Sequence, residues 1–102
     1  MIKISDTDIH PHLKLRMEQR GISRGEIEMT LNEGWIAKDA KPGTLGKLFV
    51  FPYNKIWEGK LFEEKEVCVY YKIVNDSIVL LTAKARYGKD FLKERGSNEV
   101  RV

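Results

Sequence analysis

Residues 66–87, EVCVYYKIVNDSIVLLTAKARY, constrain the fold more than any other stretch of this chain. Two runs in which apolar and polar residues alternate flank the four residues VNDS, and Asn75 and Asp76 both tolerate the positive φ that a tight turn demands. The two runs are therefore expected to be antiparallel neighbours. Because side chains alternate across a strand, parity predicts that Val67, Val69, Tyr71 and Ile73 share one face with Val79, Leu81, Ala83 and Ala85, the side that helices should cover. Cys68, Tyr70 and Lys72 then share the opposite face with Leu80, Thr82, Lys84 and Arg86, which sets one aromatic ring among three cations. Tyr87 falls by parity on the helix-covered side and needs a bulge or the strand's end to re-aim it.

Period two begins at Trp35, where WIAKDA and KLFVFPY read as two further strands. The segment NKIWEGKLFEEK reads as a longer hairpin loop or flap, with Glu63 and Glu64 capping one edge. KPGTLGK is the only glycine-punctuated soft region and is too short to divide domains, so residues 1–102 are expected to form one domain. After Gly88, KDFLKERG reads as a short terminal helix, and residues 92–102 as a frayed tail.

Upstream of the strands the pattern is helical. Pro11 suits a first helical turn, with Asp8 as the candidate N-cap, and Gly21 supplies a left-handed stop after Arg20. Ser23 and Glu26 spell a capping box, Ile22 and Ile27 a hydrophobic staple, and Gly34 ends this second helix. An αα-hairpin follows, with Leu13, Met17, Ile27 and Leu31 as core contacts.

A chain of 102 residues, 42% hydrophobic and 32% charged, has the make-up of a soluble globular domain that needs no disulfide staple. No apolar run reaches the length of a membrane helix and MIKISDTDIH holds no apolar leader, so a cytoplasmic location without membrane association is expected. The single cysteine, Cys68, reads as a buried thiol. His10 and His12 lack a third ligand within helical reach, so neither metal nor cofactor is expected. The charge excess of +3 lies wholly in residues 72–102, a local basic footprint suited to an anionic partner.

Cations that neutralise phosphate beside an aromatic ring that stacks a base suit RNA or DNA. They also suit metal-independent cleavage of RNA by its own 2′-OH, which needs a proton acceptor, a cation for the phosphorane charge and a proton donor. A solvated polar sheet face with strand-edge cations is the plain alternative. On the first helix His12, Arg16, Gln19 and Arg20 form a polar stripe at i, i+4, i+7 and i+8, either a solvated face or the border of the same cleft.

The stretch HPHLKLRMEQRGISRGEIEMTLNEG, followed by strands and YYKIVNDSIVLLTAKARYG, resembles the bacterial and archaeal family called domain of unknown function 4258. The likeness spans residues 10–91 and rests on His12, Arg16, Arg20-Gly21-Ile22-Ser23 and Glu26-Ile27-Glu28. That family is related in fold to the RelE/ParE toxin superfamily. The resemblance implies an α+β, RelE-like fold: an N-terminal helical hairpin on one face of a twisted four-stranded antiparallel sheet, with a short C-terminal helix. RelE-like toxins are metal-independent ribonucleases that act on ribosome-bound messenger RNA and are neutralised by a cognate antitoxin, whereas ParE-like relatives inhibit DNA gyrase.

The leading expectation is thus a RelE-like endoribonuclease, a toxin or toxin-derived. Lys84 and Arg86 would hold the scissile phosphate, and His12 or Tyr87 would move protons. Tyr70, Lys72, Arg16 and Arg20 would bind RNA. The alternative is a non-catalytic module of the same fold that binds nucleic acid or an acidic protein partner.

Overall fold

The computed structural model describes residues 1–93. Helix α1 (Pro11–Arg20) and helix α2 (Arg24–Glu33) precede strands β1 (Trp35–Ile36), β2 (Leu45–Trp57), β3 (Lys60–Val74) and β4 (Ser77–Gly88). The strands form one antiparallel sheet in the order β1-β2-β3-β4. Helix α1 lies against β4, and α2 against β2 and β3. The chain is thus α+β, with two helices ahead of a four-stranded antiparallel sheet. Residues 91–93 open the terminal helix expected after Gly88. The rest of that helix and all but the first two residues of the expected tail lie outside the described residues.

Local chemistry sets the helix ends. Pro11 occupies the first helical position, and the N-cap is His10, whose Nδ1 accepts from Leu13 N at 3.1 Å. Asp8, the expected cap, instead closes a short 3-10 turn over Asp6–Asp8, accepting from Ser5 N at 2.8 Å. A single turn ends at Ile9, so α1 starts afresh with its own cap. Gly21 has φ +69, the left-handed stop that glycine adopts without Cβ strain. The Ser23–Glu26 capping box is formed in both directions, at 3.1 and 2.9 Å.

Leu13, Met17, Ile22, Ile27 and Leu31 meet Ile4, Val67, Val69, Leu80 and Ala83 in one core. Ile4 arrives from the N-terminal segment, which is tied along α2 by Ile2 N to Asn32 Oδ1 at 2.8 Å and by Ile4 N to Glu28 Oε2 at 2.6 Å.

Three strand expectations need correction. WIAKDA pairs only through Trp35 and Ile36, because a turn at Lys38–Asp39 takes the chain off the sheet edge. NKIWEGKLFEEK is no flap: Glu58 and Gly59, at φ +50 and +81, make a two-residue turn, and β2 pairs with β3 out to Trp57 and Lys60. The third correction concerns β4. The Asn75–Asp76 turn, at φ +50 and +64, pairs Ile73 with Ile78 and Tyr71 with Leu80, whereas farther on Val69 faces Ala83 and Val67 faces Ala85.

A two-residue turn brings odd-numbered residues of β3 opposite even-numbered residues of β4, while the apolar pattern beyond demands odd opposite odd. One extra residue, Leu81, resolves the conflict as a bulge between the Tyr70 and Tyr71 rungs. Leu80, expected outside, is therefore 3% exposed in the core, and Val79, expected inside, is 38% exposed. Keeping Leu80 buried is worth about 1.5–3 kcal/mol, which favours the bulge over a slipped register.

Candidate nucleic-acid interface

The sheet face away from the helices carries Glu66, Cys68 and Tyr70 on β3 opposite Arg86, Lys84 and Thr82 on β4. Both ends of this face are covered. At one end the segment between β1 and β2 folds across it, anchored by Ala37 N donating to Gly46 O at 2.9 Å and by a turn in which Thr44 N and Oγ1 donate to Lys41 O. Gly46 makes the crossing possible, since a Cβ there would lie 2.9 Å from the Ala37 Cβ and 3.1 Å from the Tyr70 ring. At the other end Phe91 packs under Arg86, whose Cζ lies 4.2 Å from the ring centre. Glu64 Oε1 holds that segment by accepting from Phe91 N at 2.7 Å.

Between these ends Asp39 is the focus. Its two carboxylate oxygens accept from the Tyr70 hydroxyl at 2.9 Å each, and Oδ2 also accepts from Lys84 Nζ at 3.2 Å. The Lys84 ammonium stands 5.3 Å from the centre of the Tyr70 ring. The hydrogen bonds from Tyr70 and then Lys84 hold the Asp39 carboxyl below the usual carboxylate range. Burial, then Cys68 and Asp39, pushes the Tyr70 phenol above its ordinary value, and burial likewise raises the Cys68 thiol. Tyr70, Lys84, Thr82, Lys41 and Thr44 line an open pocket of about 370 Å³. Lys84 also borders a second, beside Cys68 and Arg86. Arg86 forks onto Glu66 through Nε at 3.2 Å and Nη2 at 3.1 Å.

The structure divides the expected site residues between two faces. Tyr70, Lys84 and Arg86 share the outer face. Lys72 stays on that side of β3 but pairs with Val79, beyond the bulge, and lines neither pocket. Tyr87 is not re-aimed outward. Its hydroxyl donates to Arg20 O at 2.7 Å, its ring stacks on Trp57 at 4.9 Å, and Tyr53 and Phe62 complete the cluster. It keeps the parity of Ala83 and Ala85 because the β4 bulge lies before those residues.

Arg20 is likewise committed to the helix–sheet joint, donating through Nη1 to Ala83 O at 2.6 Å. His12 stacks on His10 at 6.3 Å, and Arg16 donates to Gln19 at 3.3 Å, both on α1 across the sheet from Lys84. The helical stripe therefore does not border the outer-face cleft. Among the described residues no group of three His, Cys, Asp or Glu side chains is placed to hold a metal ion, and no helix is long and apolar enough to cross a membrane.

Asp39 and Glu66 are site residues that the strand pattern alone does not reveal. Glu66 was within reach: once β4 takes its bulge, Arg86 shifts from opposite Lys65 to opposite Glu66. Asp39 reaches Tyr70 only because the chain leaves β1 early, and no local pattern reports that.

The raised phenols give a titration. Tyr70 and Tyr87 both ionise above the ordinary tyrosine value of 10.0, each mainly through burial. Their hydrogen-bonded neutral forms stabilise the fold fully below pH 10 and progressively less as pH rises toward the folded values, because the unfolded chain loses these protons first. Ultraviolet titration should show Tyr70 and Tyr87 resisting ionisation past pH 10 until the protein unfolds. Tyr70 and Tyr87 ionising near 10, with the fold intact, would contradict the placement.

Residues 9–84 match the family described as Domain of unknown function (DUF4258), and the chain belongs to that family. No curated protein and no solved structure matches it.

Proposed function

We propose that the chain is a RelE/ParE-like domain whose outer sheet face binds single-stranded RNA as a non-catalytic module. The observation that carries this reading is the convergence of the Lys84 ammonium and the Tyr70 hydroxyl on one anionic group, with the Tyr70 ring 5.3 Å from the cation. A phosphate answers the two donors, and a base stacks on an aromatic ring. The ion pair to Asp39 is an obstacle that a phosphate can overcome. Its side chains are 54% and 63% exposed, and exposed pairs are worth about 0–1 kcal/mol.

The same geometry favours holding RNA over cutting it. His12 and Tyr87, the proton-transfer candidates, lie on the helix side of the sheet, and Tyr70 is held protonated. Cleavage would need a proton acceptor at the bound phosphate, and the carboxylate beside Lys84, Asp39, is a weakened base because the hydrogen bonds from Tyr70 and then Lys84 lower its pKa.

Fluorescence anisotropy with a short labelled oligoribonucleotide, in excess EDTA, tests the proposal. The wild type should bind, with affinity falling as salt rises. Lys84→Ala/Arg86→Ala should flatten the salt slope by roughly 1.4, at ~0.7 for each phosphate that a cation no longer neutralises. Tyr70→Ala should cost about 1–3 kcal/mol of binding. Equal binding by wild type and double variant, or none at low salt, would refute it. RNA shortened by the wild type and spared by the double variant would restore the endoribonuclease reading.

A further inference from the structure

We propose that Asp39 is an internal anion that occupies the phosphate subsite, so that RNA must displace the Lys38–Asp39 turn between β1 and β2 in order to bind. This inference rests on the RNA-binding reading and adds a regulatory step to it. The Asp39 carboxylate presents two oxygens to two donors, the Tyr70 hydroxyl at 2.9 Å to each and Lys84 Nζ at 3.2 Å to one. A phosphodiester offers two non-bridging oxygens to the same donors in the same way, as charge-assisted hydrogen bonds. Carboxylate and phosphate cannot share the subsite, because two anions on one ammonium and one hydroxyl repel.

The surroundings favour an exchange. Asp39 sits at the turn of its segment, two residues beyond the buried anchor Ala37 and ahead of the Lys41–Thr44 turn. The Lys38–Asp39 turn can open while both anchors hold. Lys41 and Thr44 line the same pocket from that segment, so a cation and a hydroxyl remain beside the ligand once the carboxylate has left. A pocket of about 370 Å³ falls within the size range of ligand sites. Tyr70 is held in place for either occupant by the room that Gly46 leaves for its ring.

The test is Asp39→Asn, which keeps the size and one acceptor oxygen and removes the charge. Binding of a labelled oligouridylate is measured by anisotropy. Hydrogen exchange is followed at the amides of residues 38–44, with and without the RNA. The variant should bind roughly tenfold more tightly, equivalent to ~1.4 kcal/mol. In the wild type RNA should speed exchange at residues 38–40, between the anchors, and leave Thr44 unchanged. The affinity gain should vanish in a Lys84→Ala background.

Wild-type binding that Asp39→Asn leaves unchanged or weakens would overturn the internal anion and leave the RNA reading standing. Tighter binding without altered exchange would reduce Asp39 to a nearby repulsive charge and overturn the displacement. If neither protein binds RNA, both readings fall.

Discussion

Gly34→Ala should cost about 3 kcal/mol of stability. A Cβ at this position would lie 2.4 Å from Thr30 O and 2.5 Å from Leu48 O. Both are backbone atoms, one at the end of α2 and one in β2, so no side chain can rotate to make room and α2 must lift from the sheet. The φ of Gly34 is −78°, which any residue adopts, so the requirement here is space alone. Gly25→Ala is the natural control. Its nearest neighbour would be Ser23 Oγ at 4.0 Å, inside α2, where alanine should stabilise by ~0.5 kcal/mol through lower unfolded-state entropy. Urea unfolding should show the two substitutions moving the midpoint in opposite directions at constant m. A Gly34→Ala protein as stable as the wild type would mean that α2 and β2 do not approach as described.

Lys65→Ala is the second large effect. Lys65 is 3% exposed, and its ammonium donates to Gly21 O and, at 2.8 Å, to Glu26 Oε1. It also lies 5.5 Å from the Tyr53 and Tyr87 ring centres. One side chain thus ties β3 to the α1–α2 joint and to the capping box of α2, since Glu26 Oε1 also accepts from Ser23 N. Removing one partner of such a pair leaves a half-buried carboxylate and a carbonyl without their donor, at a cost of about 3–5 kcal/mol. Removing both charges is milder, so Lys65→Met/Glu26→Gln should recover much of the loss. Measured stabilities in the order wild type, double variant, Lys65→Ala would bear this out. A Lys65→Ala cost below about 1 kcal/mol, the range of an exposed pair, would show that the pair is not seated as described.

The helical hairpin was legible because its determinants are local. Gly21, the Ser23–Glu26 box and the Ile22–Ile27 pair act within a turn or two of chain; the stop and the box are formed, and both isoleucines are buried. The tight turn at Asn75–Asp76 was legible for the same reason. The bulge at Leu81 was legible only in principle: a two-residue turn and an odd-on-odd apolar pattern contradict one another, and the contradiction requires one extra residue. The Glu58–Gly59 turn was missed because glutamate seldom adopts positive φ, so Glu-Gly signals a hairpin less strongly than Asn-Gly does.

At the site, parity alone put Tyr70, Lys84 and Arg86 on a common face. It could not supply their carboxylate partners. Asp39 comes from 31 and 45 residues away from Tyr70 and Lys84, and such contacts depend on where a loop lands. Lys65 is buried because the helices close over it, again a tertiary effect.

On the proposed reading the outer sheet face, and not the helical face, receives RNA. Backbone amide spectra recorded during titration with an oligouridylate test it most directly. The account predicts perturbations at Asp39, Tyr70, Thr82, Lys84 and Arg86, with little change at His12, Arg16 and Tyr87. Perturbations centred on α1 and Tyr87, or none at all, would contradict it.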